Sequence, residues 1–125
     1  MTHYRPHMRA KVRSRKIRDA ATGRACTIRV SSFVPGHTCS DPSTSVLCHF
    51  GGSTKGTGTK VSDLDAGFGC FNCHQIIDGP DKTRRDYLMS KYPSAVENRL
   101  RASVSETLAI LLDEGILTVS DGEIF

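Results

Sequence analysis

"GCFNCHQIID", residues Gly69–Asp78, sets two cysteines two residues apart and places a histidine directly after the second. That C-x-x-C-H order suits three chemistries: covalent haem attachment, half of a zinc site, or part of a catalytic centre. The rest of the chain separates them. Haem attachment belongs to compartments outside the cytoplasm. The opening residues, MTHYRPHMRAKVRSRKIRDA, are basic with no apolar segment behind them, so they do not read as a secretory signal. No apolar run is long enough to span a bilayer, so no membrane role is expected. The expected setting is a reducing cytoplasm, where thiols bind metal or react more often than they pair. Five cysteines, an odd number, also fit disulfide pairing poorly.

Zinc fits better. Cys26 and Cys39 lie upstream with twelve residues between them, and Cys70 and Cys73 form a knuckle. A zinc ion takes four tetrahedral ligands, and thiolates supply them well. The expected structural zinc set is therefore Cys26, Cys39, Cys70 and Cys73, with His37 the alternative to Cys39. Cys48 reads as a small buried residue of an apolar strand. A metal staple suits this chain of 125 residues, because an apolar fraction of 38% and no tryptophan predict a thin core.

The net charge of +4 is unevenly placed. Residues 1–24 carry eight basic side chains and one acid, while the stretch from Glu106 onward carries five acids and no base. A dense cationic segment attracts nucleic acid through its phosphates. Residues 1–18 read as a flexible basic arm, and 19–125 as a single zinc-containing domain. Arg13, Arg15, Lys16 and Arg18 are its candidate phosphate contacts, with Lys55 and Lys60 of the glycine-rich stretch GGSTKGTGTK. That stretch does not match a P-loop.

Strands are expected over Cys26–Phe33 and Ser45–Phe50, and a short helix from the knuckle to Gly79-Pro80. A further helix is expected over "DKTRRDYLMSKY". The last helix should bury a stripe of Val96, Leu100, Val104, Leu108, Leu111 and Leu112, with Ser94 as N-cap and Gly115 beyond its end. Ile116–Phe125 is read as a terminal strand. His74 and Asp78, four apart, fall on one helical face, as a second metal site requires.

A strand histidine, a loop and then C-x-x-C-H resemble the motif of the ββα-metal (His-Me finger, HNH) endonucleases. GRACTIRV, TSVLCHF, GTGTKVSDL and CFNCHQIID together resemble a small family of phage and prophage nucleases within that superfamily, over about Ile17–Asp78 and more weakly in the C-terminal helix. The resemblance implies an α+β fold: a small zinc-stabilised ββα-metal core with a C-terminal helix. It implies a DNA endonuclease, with RNA also open, in the cytoplasm of a bacterial host. His49 occupies the position of the general base. His74 occupies that of a ligand to a catalytic Mg²⁺ or Mn²⁺ ion, Asp78 that of a second helical ligand, and Asp65 that of the superfamily's middle residue, with Asp63 a competing acid; both are further candidate ligands of that ion. Cys48 stands where an aspartate often precedes the strand histidine. An imidazole, with its ordinary pKa of about 6.5, can take a proton from water near neutrality. The rival reading is a zinc module that binds nucleic acid without cutting it. A third is an adaptor that docks through its last helix.

Overall fold

The computed structural model describes residues 10–50 and 61–125. Residues 1–9 of the basic segment, and Lys55 and Lys60, lie outside them. The architecture is α+β. It has a two-stranded antiparallel sheet of β1 (Val46–His49) and β2 (Ala66–Gly69), with α1 (Arg15–Asp19) before it and α2 (Phe71–Ile77), α3 (Lys82–Lys91) and α4 (Pro93–Asp113) after it.

In the sheet Leu47 pairs with Phe68 and Cys48 with Gly67. Alternate residues of a strand face opposite ways. Leu47 and Phe68 accordingly pack with Ile17, Ala21, Ala66 and Leu111, whereas Cys48 belongs to a second cluster with Ile28, Val30, Cys70, Cys73, Ile76, Leu88 and Val96. The core is thus two small clusters joined through the sheet.

The expected strand at Cys26–Phe33 does not form. Thr27 makes a single backbone bond to β2, its N–H donating to the Phe68 carbonyl at 2.8 Å, while its hydroxyl takes the Phe68 N–H at 3.1 Å. Arg29 then adopts φ +53° and donates its N–H to Cys26 Sγ at 3.4 Å. The chain curls around a sulfur, and a 3₁₀ turn follows at Ser31–Phe33. The terminal strand is also absent: Ile116–Phe125 leaves α4 through a turn, where the Ile116 and Leu117 N–H groups donate to the Leu111 carbonyl.

α3 and α4 match the sequence periodicity, with two differences. Pro93 occupies the first turn of α4, so the N-cap is Tyr92 and not Ser94, while Gly115, at φ +71°, does follow the C-cap. The fully buried face of α4 is Val96, Ser103, Thr107 and Leu111, whereas Leu100, Val104, Leu108 and Leu112 are half-buried. The polar centre of that face has a cause in β2. A Cβ on Gly67 would lie 2.1 Å from Ser103 Oγ, so the missing side chain lets α4 close on the sheet. The buried hydroxyls satisfy one another, with Thr27 Oγ1 2.6 Å from Ser103 and 3.2 Å from Thr107.

Candidate metal centre and histidine site

Cys70 is the N-cap of α2, its sulfur accepting the Cys73 N–H at 3.5 Å, and this turn points both knuckle sulfurs the same way. Cys26 and Cys39 come from the irregular segment before β1. The ligand atoms of all four lie within 4.8 Å of one another, and Cys39 Sγ is 3.8 Å from Cys73 Sγ. Sulfurs about 2.3 Å from a central zinc form a tetrahedron with edges of about 3.8 Å, so the spacing fits the ion. None of the five cysteines forms a disulfide. His37, the alternative to Cys39, is not part of the group.

The electrostatics also call for a cation. The Cys73 thiol donates toward Cys26 and, against the opposing effect of burial, holds Cys26 at about 4. Burial, reinforced by the negative charge of Cys26 and Cys70, pushes Cys39 up to about 12. Cys73 is raised by the bond it donates to Cys26 and by its burial. Without a counter-ion the four thiols cannot all ionise; a bound divalent metal removes that conflict. Further donors surround the sulfurs. The Ser31 hydroxyl lies 3.1 Å from Cys73 Sγ, and the Ser40 N–H donates to Cys70 Sγ at 3.3 Å. Neither serine carries a sequence signal beyond proximity to a cysteine.

His49 ends β1 and is a quarter exposed. Its Nε2 is 2.8 Å from Oδ1 of Asp63, which is 5% exposed. Burial works to raise Asp63, but the Ser14 N–H at 2.7 Å, His49 and Arg18 Nε at 3.8 Å outweigh it and hold the carboxyl below its ordinary value. An ionised carboxylate only accepts, which assigns the His49 proton to Nε2 and leaves Nδ1 as the acceptor. Within residues 1–18, read as a flexible arm, the described part reaches the site: Val12 and Ser14 bind Ser62 and Asp63 through backbone bonds, and α1 begins at Arg15. Hydrogen bonding to a buried carboxylate fixes these residues in place. Arg13, Arg15, Lys16 and Arg18 remain exposed.

The expected ligands of a catalytic ion are only partly gathered. His74 Nε2 and Asp78 Oδ2 are 3.9 Å apart on one face of α2. Asp63 is committed to His49, and Asp65 is exposed in the turn before β2. Among the described residues, the four thiols are the one set of three or more potential ligands close enough to share a metal. His49 and Asp78 do line a common cavity of about 950 Å³, together with Arg85, a residue the sequence did not single out.

These features define a small α+β domain with a strand–strand–helix unit, a cluster of four thiols spaced to hold a metal at the head of its helix, and a carboxylate-bound histidine at a strand end. Residues 15–116 match the family described as "Putative nuclease YbcO", and the chain belongs to that family. It is 36% identical over 104 residues to the protein named "Putative nuclease YbcO" of Escherichia coli K12, covering 81% of this chain and 95% of the relative. The protein of the same name from Enterobacteria phage 82 shows the same identity and coverage. No solved structure matches the chain significantly. Among the described residues, no helix is long and apolar enough to cross a membrane.

Proposed function

We propose that this protein is a metal-dependent DNA endonuclease of the ββα-metal (HNH) class, acting in the host cytoplasm. The observation that carries the reading is the 2.8 Å contact between buried Asp63 and His49, which lines a cavity together with Asp78. The names of the relatives support a nuclease, and the order β1–β2–α2 supports the class.

The four thiols would hold a structural zinc ion with no coordination position left open. His74 and Asp78 would hold a Mg²⁺ or Mn²⁺ ion, which takes few protein ligands and completes its shell with water and phosphate oxygens. Once bound, that ion stabilises negative charge on the phosphate and the leaving oxygen. Asp63 keeps the Nε2 proton of His49 in place, so Nδ1 removes a proton from water as the water oxygen attacks phosphorus. The P–O3′ bond breaks, and the leaving oxygen takes a proton from solvent. Exposed Arg13, Arg15, Lys16 and Arg18, with Lys55 and Lys60, would hold flanking phosphates.

The test is cleavage of plasmid DNA by pure zinc-loaded protein with Mg²⁺ or Mn²⁺, beside His49→Ala. The expected loss is about 10²–10⁴-fold with unchanged folding and zinc content. Cleavage surviving in His49→Ala removes the base assignment. The sparse ligand set at His74 favours a second reading, a zinc module that binds nucleic acid without cutting. Inactivity of folded wild type with every metal, alongside retained binding, would select it.

A further inference from the structure

The cavity beside His49 has a mixed wall. Phe50, Ile77, Met89 and Leu100 give it apolar surface, and among the described residues Arg85 is the one arginine or lysine of its lining. Arg85 is fixed in place: Nη1 donates to the carbonyls of Ile76 at 3.0 Å and Gly79 at 2.9 Å, closing the C-terminal end of α2. A guanidinium has five N–H donors in a rigid fork, and those of Nε and Nη2 remain beyond the two that Nη1 uses. An arginine already fastened to backbone loses little freedom when it grips a ligand. Its planar fork suits phosphate oxygens.

We propose that this cavity seats one unpaired nucleotide, with Arg85 holding its phosphate and the apolar wall covering its sugar and base. The inference deepens the nuclease reading and rests on it, since the nucleotide would adjoin the bond that His49 attacks. A paired base keeps its faces inside the stack and cannot lay one against Phe50, Ile77, Met89 and Leu100; an unpaired base can. The two acids of the wall do not contradict an anionic guest. Glu97 is paired with Arg101 at 2.8 Å, and Asp78 is the acid proposed above to hold a divalent cation, which would itself attract phosphate.

Binding is read in a His49→Ala background, so that no strand is cut. Fluorescence anisotropy compares a labelled single strand of roughly ten nucleotides with the blunt duplex of the same sequence, across a salt series. The expected result is tighter binding of the single strand. Arg85→Gln should weaken it by about tenfold and lower the salt slope by about 0.7, the value of one phosphate contact on a single strand. Arg85→Lys, keeping the charge but not the fork, should keep the slope and lose part of the affinity. Met89→Glu, at a position half exposed, alters the wall without touching the α2 cap and should also weaken single-strand binding. Preference for duplex overturns the proposal. So does unchanged affinity and slope in Arg85→Gln or, where that variant fails to fold, unchanged affinity in Met89→Glu. Cleavage by the wild type reports separately. Arg85-dependent single-strand binding without cleavage keeps the seat and sinks the hydrolase; cleavage without Arg85 dependence does the reverse.

Discussion

The thiol cluster and the His49 site are both built on the unit β1–β2–α2, yet different physics holds each together. At the cluster, four sulfurs crowd within 4.8 Å, and their proton affinities are driven apart by burial, by mutual hydrogen bonding and by the charge of neighbouring thiolates. At His49 every strong interaction is already made: imidazole on carboxylate, carboxylate on the Ser14 N–H, guanidinium nearby. One region needs something from outside the chain to be complete; the other is complete but held by only a few bonds. If the cluster holds the proposed zinc, loss of that metal should therefore remove the fold, and loss of a hydrogen bond at His49 should remove the proposed activity and leave the fold.

The largest effect is expected at the cluster. Cys70→Ser removes both a ligand and the N-cap of α2. Structural zinc sites contribute about 10–16 kcal/mol to folding in small zinc domains, against a total stability of about 5–15 kcal/mol for a typical domain. Wild-type protein should carry one zinc per chain by elemental analysis and melt cooperatively. Cys70→Ser, or wild type stripped by a strong chelator, should carry none and show no cooperative melt. A metal-free wild type with an intact transition would break the contrast at its root.

How much of this could be read in advance follows the same division. The clustering of the four cysteines was legible because a candidate metal site is written in residue type, and only their turn geometry, with Arg29 in the left-handed region, was hidden. That geometry replaced the strand expected at Cys26–Phe33. The helices were legible from periodicity, except where packing overrode it: Ser103 and Thr107 hold the centre of the α4 face because Gly67 on β2 has no side chain. A periodicity count cannot see a glycine on another element. Gly67→Ala should accordingly destabilise by about 1–3 kcal/mol in chemical denaturation, as overpacking does, and Ser103→Ala in the same chain should recover part of it. At the histidine site, His49 stood out through its resemblance, but the resemblance put Asp65 ahead of Asp63 as the acid of the site, and it is Asp63 that meets His49. The role of Asp63 depends on Ser14, 49 residues away in the chain, whose contribution is a backbone N–H with no sequence signature.

Asp63→Asn sharpens the other side of the contrast. The amide keeps the shape and can still accept from Ser14, so the fold and zinc content should persist. Cleavage should fall at least about tenfold, or 1.4 kcal/mol in the barrier, because the charge that fixes the His49 tautomer is gone. Acidification gives a second reading. A carboxyl lowered in the folded state contributes stability that is full above its unfolded value of about 3.9 and is lost as pH falls through the folded one. Acid also releases zinc from thiolates in both proteins, so the informative quantity is the difference. Urea midpoints of wild type and Asp63→Asn should converge as pH drops below about 4. Parallel curves would mean that Asp63 is not ionised in the fold.

The smallest effect expected is that of Arg18. Its Nε lies 3.8 Å from Asp63 with nearly half the side chain in water, whereas the Ser14 N–H reaches the same carboxylate at 2.7 Å. Exposed ion pairs contribute about 0–1 kcal/mol, so Arg18→Ala should cost less than about 1 kcal/mol in denaturation and change cleavage within about threefold at moderate salt. Deleting residues 1–14 removes the Ser14 N–H and the Val12 backbone pairing as well, and should lower cleavage as far as Asp63→Asn does. If instead Arg18→Ala matches that deletion, and salt reproduces its effect on wild type, then charge and not backbone geometry holds the carboxylate. The His49 site would then depend on the ionic surroundings as the thiol cluster is proposed to depend on zinc.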